Sequence, residues 1–211
     1  MPKIIEFTGM PNSGKTTLIH NLQRKLQAEH GITVSYQRED AEIVPNEIPK
    51  KTWDRNTWIT FGQFQSMIQA KYAHTEVVLL DRGYFDAIFW AKFMQSQGTS
   101  TGKQSQGMLN ILLQSYKNLE LYPDALFLID VSVEESLRRR ALMEGASTYS
   151  KPDYLEKYRE KFFQVFKAYI ENDEEHKAIH VPSYYFDTTG ESEEDLAKWV
   201  AKDIADVCRL E

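Results

Sequence analysis

The chain has 211 residues, of which 42% are hydrophobic and 12% aromatic against 27% charged, a length and balance that suit one domain of ordinary size. A chain this long can bury about 70% of its unfolded surface, so its apolar content excludes a disordered tail or a disulfide-stapled miniprotein. Lys plus Arg number 25 and Asp plus Glu 31, a formal charge of −6; this speaks against broad binding to a nucleic-acid backbone, and any anionic ligand must be held by a local cluster.

Lys3–Thr8 is a short β-rich run, and Thr16–His30 sets Leu18, Ile19, Leu22 and Leu26 on one helical face before Gly31 stops it. Ile32–Gln37 reads as a second strand. A linker with Pro45 and Pro49 follows, then a long helix from Asp54 to Tyr72. Glu76–Leu80 and Ala125–Ile129 are apolar runs bounded by Asp81 and Asp130, the pattern of strands buried on both faces of a sheet. Helices are expected over Tyr84–Gln95, Met108–Leu121, Val133–Met143, Pro152–Glu175 and Ser192–Arg209, two of them opened by the capping pairs Ser132…Glu135 and Ser192…Asp195. His180–Asp187 supplies the last strand, and the polar run Gln97–Gly107 reads as a flexible loop. The stripe Tyr154, Tyr158, Phe162, Phe166 and Tyr169 reads as core packing, and the five histidines lack any ligand spacing.

This alternation predicts residues 1–211 to be a single α/β domain: three layers, α/β/α, around a mainly parallel five-stranded sheet, because parallel strands need crossover helices. The one cysteine, Cys208, can form no internal disulfide. The N-terminus lacks a basic segment followed by a long apolar one, and no run approaches the roughly 18 apolar residues that span a bilayer. A cytoplasmic protein without membrane or nucleic-acid partners is expected.

Gly9-Met-Pro-Asn-Ser-Gly14-Lys15-Thr16 matches the P-loop pattern, directly after a strand and before a helix. Gly9, Asn12, Ser13, Gly14, Lys15, Thr16 and Thr17 are therefore the candidate nucleotide-binding residues: the loop amides and helix N-terminus cradle a triphosphate, Lys15 reaches its β and γ phosphates, and Thr16 offers a hydroxyl to Mg²⁺. A guanine-reading Asn-Lys-x-Asp motif is lacking, so ATP is the expected nucleotide. Asp81, at the end of a strand, stands where a metal-supporting carboxylate would, with Arg82 next to it.

With these residues the chain resembles the thymidylate kinase and deoxynucleoside kinase group of P-loop kinases, over nearly its whole length in element order. The resemblance implies an ATP- and Mg²⁺-dependent phosphotransferase whose acceptor is a nucleotide or nucleoside. Gln37-Arg38-Glu39-Asp40 looks like the Arg-Glu segment of thymidylate kinases, with Glu39 where deoxynucleoside kinases keep their acidic base and Arg38 toward substrate; Asp81-Arg82 looks like the Asp-Arg pair beside acceptor and metal. Ser132–Arg140 and the turn after it look like an arginine-bearing lid over about 138–152, and Phe186-Asp-Thr188-Thr-Gly190 is similar to the loop near the adenine, which Arg139 would also serve. On the long helix, where deoxynucleoside kinases hold the base with a Trp and a Phe-Gln pair, Trp58, Phe61 and the pair Phe64-Gln65 or, in the other register, Gln63 would face substrate, with Tyr84 beside them.

The P-loop's variable positions hold no arginine, so Arg138 and Arg140 are the candidates for the transferring phosphate. Val133, Leu137 and Ala141 define the expected buried face of their helix, which would leave Arg139 the most exposed of the three arginines. The long helix carries only Arg55 and Lys71 where thymidylate kinases place an arginine, and Gly83, Tyr84, Phe85, Asp86 and Trp90 depart from the group's usual continuation. The acceptor therefore stays open among a nucleotide, a nucleoside and another hydroxylated compound such as an antibiotic. A non-catalytic ATP-binding switch is the alternative from a different class, and a homodimer is compatible with either.

Overall fold

A computed structural model describes residues 1–142, 151–171 and 181–209. In chain order the strands are β1 (Lys3–Gly9), β2 (Val34–Gln37), β3 (Val77–Asp81), β4 (Ala125–Asp130) and β5 (Ser183–Asp187). The helices are α1 (Lys15–His30), α2 (Trp53–Lys71), α3 (Tyr84–Ser96), α4 (Gly102–Leu119), α5 (Val133–Ala141), α6 (Pro152–Glu171) and α7 (Glu193–Arg209), with a 3₁₀ turn at Asp40–Glu42. The five strands form one sheet in the order β2-β3-β1-β4-β5, and every neighbouring pair is parallel.

Strand residues alternate between two apolar cores, because successive side chains leave opposite faces of a sheet. Ile5, Phe7, Leu79, Phe127 and Ile129 pack against α1 and α7. Ile4, Val78, Leu80, Leu126 and Leu128 pack against α2, α3, α4 and α6. The expected three-layer architecture is what forms. The chain runs outward from β1 to β2 and β3 on one side and to β4 and β5 on the other, so β1 lies at the switch point, where open α/β sheets bind ligands at their carboxyl ends.

The polar run Gln97–Gly107 corrects the sequence reading: α4 begins at Gly102, not Met108. Thr101 Oγ1 accepts from the Gln104 amide at 3.2 Å, and Gln104 Oε1 accepts from the Thr101 amide at 2.8 Å, a complete capping box. Fully buried Ser105 donates to Ala91 O at 2.9 Å and ties this first turn to α3. At α5 only half of the expected capping pair forms: Ser132 accepts from the Glu135 amide, while the Glu135 carboxylate turns to arginines.

The end of β1 leaves no room for a side chain. Gly9 has φ 140°, and a Cβ there would lie 1.9 Å from Ile129 O, which accepts the Met10 amide at 3.2 Å. Gly9→Ala is expected to cost about 1–3 kcal/mol through this clash and the backbone strain. In a domain of this size that lowers Tm by about 2–4 °C per kcal/mol, which calorimetry would register.

Candidate active site

The P-loop closes β1 onto α1. Asn12 (φ 58°) and Gly14 (φ 87°) take left-handed backbone, and Gly14 caps α1 with no side-chain hydrogen bond, so the first amides of the helix remain available to an anion. Lys15 is buried and folds back over the loop, 2.9 Å from Met10 O and 3.4 Å from both Gly9 O and Ser13 Oγ. Burial pulls its ammonium down to about 8, and the positive charge of Arg82 adds to the shift. Thr16 Oγ1 donates to Asp81 Oδ2 at 2.5 Å, while the buried Asp81 Oδ1 has no hydrogen-bond partner among the described residues. Burial pushes the Asp81 carboxyl up, and Lys15 opposes that rise. Among the described residues no three His, Cys, Asp or Glu side chains gather as a metal site. Thr16 and the open oxygen of Asp81 are oxygen donors of the kind that could hold a hard cation such as Mg²⁺.

Arg82 follows Asp81 with φ 71°, an uncommon conformation for a side-chain-bearing residue, secured by its amide donating to Phe7 O at 2.9 Å. Its buried guanidinium lies 2.6 Å from Asp86 Oδ1 and 2.8 Å from Glu39 Oε1, with Tyr158 Oη at 3.5 Å. Burial works against this charge, but Asp86 and Glu39 outweigh it and keep the guanidinium protonated. Asp86 also accepts from Thr8 Oγ1 at 3.0 Å and Gln63 Nε2 at 3.3 Å. Beneath lies Glu6, fully buried, which accepts the Phe85 and Asp86 amides at 3.2 Å each at the start of α3. Burial drives its carboxyl up to about 8 against the pull of those two donors.

Glu39 reaches Arg82 because the residue after it anchors the 3₁₀ turn. Asp40 is buried against Gly62 of α2, where a Cβ would lie 2.7 Å from Asp40 Oδ1, and Ser66 Oγ donates to its other oxygen at 3.4 Å. Burial raises the Asp40 carboxyl to about 6, against the Ser66 hydrogen bond. Arg38, expected toward substrate, is exposed at the end of β2.

The structure chooses between the two registers of α2. Gln63 is buried and bonded to Asp86, whereas Gln65 is exposed, and Phe61 is 44% exposed. The buried line runs Asn56, Thr60, Gln63, Met67, Ala70, about 160° from where a stripe through Phe61 and Gln65 would place it. Trp58 is half-buried. Tyr84, expected beside substrate, is instead in the core, edge-on to Tyr116 and Tyr122.

The arginines of α5 also correct the expectation. The buried residue of this helix is Ser136, which donates to Pro11 O at 2.9 Å while Asn12 Nδ2 donates to Ser136 Oγ at 3.2 Å. Residues three and four positions on from a buried residue share its face, so Arg139 and Arg140 turn inward and Arg138 outward. Arg138 has 63% side-chain exposure and pairs with Glu135 at 2.6 Å. Arg139, expected to be the most exposed, is only 22% exposed and spans the site's edge. Its guanidinium donates to Thr188 O at 2.7 Å, Thr188 Oγ1 at 3.0 Å and Asn12 O at 3.4 Å. Thr188 in turn lies 3.1 Å from Ser13 O, so Arg139, Thr188 and the P-loop form one cluster. Arg140 is half-buried and Thr17 is exposed. Residues 143–150 of the proposed lid lie outside the described residues.

Three participants were missed in the sequence. Asp86 stands four residues after Arg82, a helix-spaced ion pair that could have been read. Tyr158 was read as core alone, yet its hydroxyl reaches Gly9 O at 3.4 Å. Asp130, at the end of β4, is bound by Arg159 Nη2 at 2.6 Å and Tyr185 Oη at 2.9 Å, contacts from elements distant in sequence.

No family model matches the chain. It is 26% identical over 178 residues to probable thymidylate kinase 1 of Saccharolobus solfataricus, covering 80% of this chain and 86% of that protein. To a probable thymidylate kinase of Sulfurisphaera tokodaii it is 22% identical over 176 residues, covering 80% and 85%. Its fold matches the structure of deoxyadenosine kinase from M. mycoides with bound dATP, with a TM-score of 0.69 at 15% identity over 96% of this chain and 98% of that one. A second structure of that enzyme, with products dCMP and a flexible dCDP, gives a TM-score of 0.68 at 14% identity over 96% and 99%. The chain thus resembles thymidylate kinases in sequence and shares the P-loop fold of a deoxynucleoside kinase.

The raised Asp40 carboxyl has a consequence for stability. Its folded value of about 6 stands above the ordinary 3.8, so its contribution is fully present below about pH 4 and is lost as pH rises through 6. Asp40→Asn, which keeps the shape and a hydrogen-bond acceptor, should flatten the pH dependence of the urea midpoint between pH 4 and 6 relative to wild type.

Proposed function

We propose that this chain is an ATP-dependent phosphotransferase that moves the γ-phosphoryl of ATP to a small nucleoside or nucleotide acceptor. The observation that carries this reading is the assembly around Arg82, which brings Glu39 to within 2.8 Å of the buried guanidinium that follows Asp81, the β3 carboxylate bonded to Thr16 of the P-loop. A module that only binds ATP needs Lys15 and the loop amides; it has no use for a second carboxylate held across from them. The likeness to thymidylate kinases and to a deoxyadenosine kinase supports the same assignment.

The chemistry follows from the placement. The P-loop amides and Lys15 hold the β and γ phosphates, and Arg139 with Thr188 borders the nucleotide at the other side of the loop. Thr16 and Asp81 are the residues that would hold Mg²⁺, which when bound would supply charge neutralisation at the phosphates. Glu39, oriented by Arg82, accepts the acceptor's hydroxyl proton as the new O–P bond forms and the bond to ADP breaks. Arg82 faces the spread charge of the phosphoryl group, a role in which preorganised cations are most effective. The single cysteine, Cys208, and the net charge of −6 fit a cytoplasmic enzyme of small molecules.

Lys15→Ala should lower phosphotransfer by about 10²–10³-fold. Because burial holds its ammonium near 8, the charged form that phosphates select is lost as pH rises. ATP affinity measured by calorimetry should weaken above pH 8, with proton uptake on binding there. For a hydroxyl acceptor, Glu39→Gln should cost about 10²–10⁴-fold in kcat, while Asp81→Asn should raise the Mg²⁺ concentration needed for half-maximal rate. Retention of full transfer by both variants would contradict the assigned roles.

A further inference from the structure

Each backbone carbonyl of the P-loop from Gly9 to Ser13 lies within hydrogen-bond distance of a side chain. Lys15 and Tyr158 reach Gly9 O at 3.4 Å each, and Lys15 reaches Met10 O at 2.9 Å. The next three carbonyls turn toward α5 and the loop after β5. Ser136 Oγ donates to Pro11 O at 2.9 Å and Arg139 Nη1 to Asn12 O at 3.4 Å, while Thr188 Oγ1 lies 3.1 Å from Ser13 O. A trans peptide is planar, with its C=O and N–H opposed, so holding a carbonyl also aims the amide that follows it. The grip on Pro11 O and Ser13 O therefore turns the Asn12 and Gly14 amides away from α5 and Thr188, while the Ser13 amide closes the loop on Met10 O at 3.3 Å. Amides aimed in this way are what a phosphate-cradling loop needs.

One pair in this frame joins side chain to side chain. Asn12 has φ 58°, a left-handed backbone that asparagine tolerates better than most residues. Its Nδ2 donates to Ser136 Oγ at 3.2 Å and to Ser136 O at 3.3 Å. Ser136 thus gives its hydroxyl proton to the peptide before Asn12 and accepts one from the Asn12 side chain, which closes a ring between loop and helix. Ser136 is fully buried, with no surface open to a nucleotide. Three residues on, the same helix carries Arg139, which donates to Asn12 O and to Thr188 O. Helix α5 therefore holds the loop through both residues.

We infer that Asn12 and Ser136 are positioning residues whose pairing holds the P-loop in its phosphate-receiving shape and ties it to the helix that bears Arg139, so that nucleotide affinity depends on a hydroxyl the nucleotide does not touch. The inference rests on the nucleotide-binding part of the reading above and adds to it two residues that act through the loop. A bound triphosphate would itself hold the loop amides, so the pair governs how tightly the nucleotide is taken up more than how fast the phosphoryl group then moves.

The test measures the affinity of the full-length chain for Mg-ATP and for inorganic tripolyphosphate by calorimetry, and the kcat of transfer to whichever common nucleoside or 5′-monophosphate the wild type uses best. Ser136→Ala and Asn12→Gly should each weaken both ligands about 3- to 10-fold, the worth of one hydrogen bond. Their kcat at saturating ATP should stay within about 2-fold of wild type. Glycine accepts the left-handed backbone of Asn12 and alanine suits a helix, so both variants should unfold cooperatively. The double variant should bind no more weakly than the more affected single one, because both changes remove the same contact. Unchanged affinity in both single variants overturns the inference. So do additive losses in the double variant, which mean that the two residues act apart, and a loss confined to ATP, which moves the effect from the loop to Arg139. Binding with no transfer to any acceptor overturns phosphotransfer and leaves the affinities to decide the inference, whereas a wild type that binds neither ligand overturns both.

Discussion

Everything at the carboxyl end of the sheet depends on one buried cation. Arg82 leaves β3 with a left-handed backbone, is held by Phe7 of β1, and gathers Glu39 from the turn after β2, Asp86 from α3 and Tyr158 from α6. A guanidinium out of water is tolerated only if its charge is balanced. That demand holds the turn after β2 and the start of α3 against the end of β3. Because Asp86 also receives Thr8 and Gln63, the constraint extends to β1 and to α2.

The same arrangement separates two electrostatic tasks. On the P-loop side, Lys15 and the open amides of α1 make a region suited to phosphate, with Asp81 and Thr16 offering oxygens to a hard cation. On the α2 side, Asp86 accepts from Gln63 of α2 while Glu39 pairs with Arg82. Arg82 stands at the border. Such a division suits a reaction in which charge arrives on one reactant and a proton leaves the other. Outside this border Asp40 and the Asp130–Arg159 pair secure the turn before α2 and the helix that carries Tyr158, so they act on the site through packing.

The parts that could be read from the sequence were those set by local rules. The P-loop has fixed spacing, and β3 and β4 are apolar runs ending in Asp81 and Asp130, so the layer order and the first half of the site followed. The rest turned on which face a helix buries. Aromatic residues drew the reading of α2 toward Phe61 and Gln65, but the face is set by Gln63 reaching Asp86 and by Asp40 lying on Gly62, partners 23 and 22 residues away in the chain. On α5 the apolar Val133 and Leu137 do pack against the core, as their spacing suggested, but the fully buried residue is the small polar Ser136, which is held by the P-loop backbone and turns Arg139 inward. The start of α4 was hidden among Gly, Ser and Gln, although Thr101 and Gln104 carried a capping signature.

The most direct measurement is the rate of transfer from Mg-ATP by Arg82→Lys, with ATP affinity and Tm determined on the same protein. Lysine keeps the charge but cannot bridge Glu39 and Asp86 with a planar fork. The expected result is a fall in kcat of at least about 10²-fold with ATP affinity within a few-fold of wild type and a cooperative unfolding transition. Turnover equal to wild type in the lysine variant would contradict the central place given to this guanidinium.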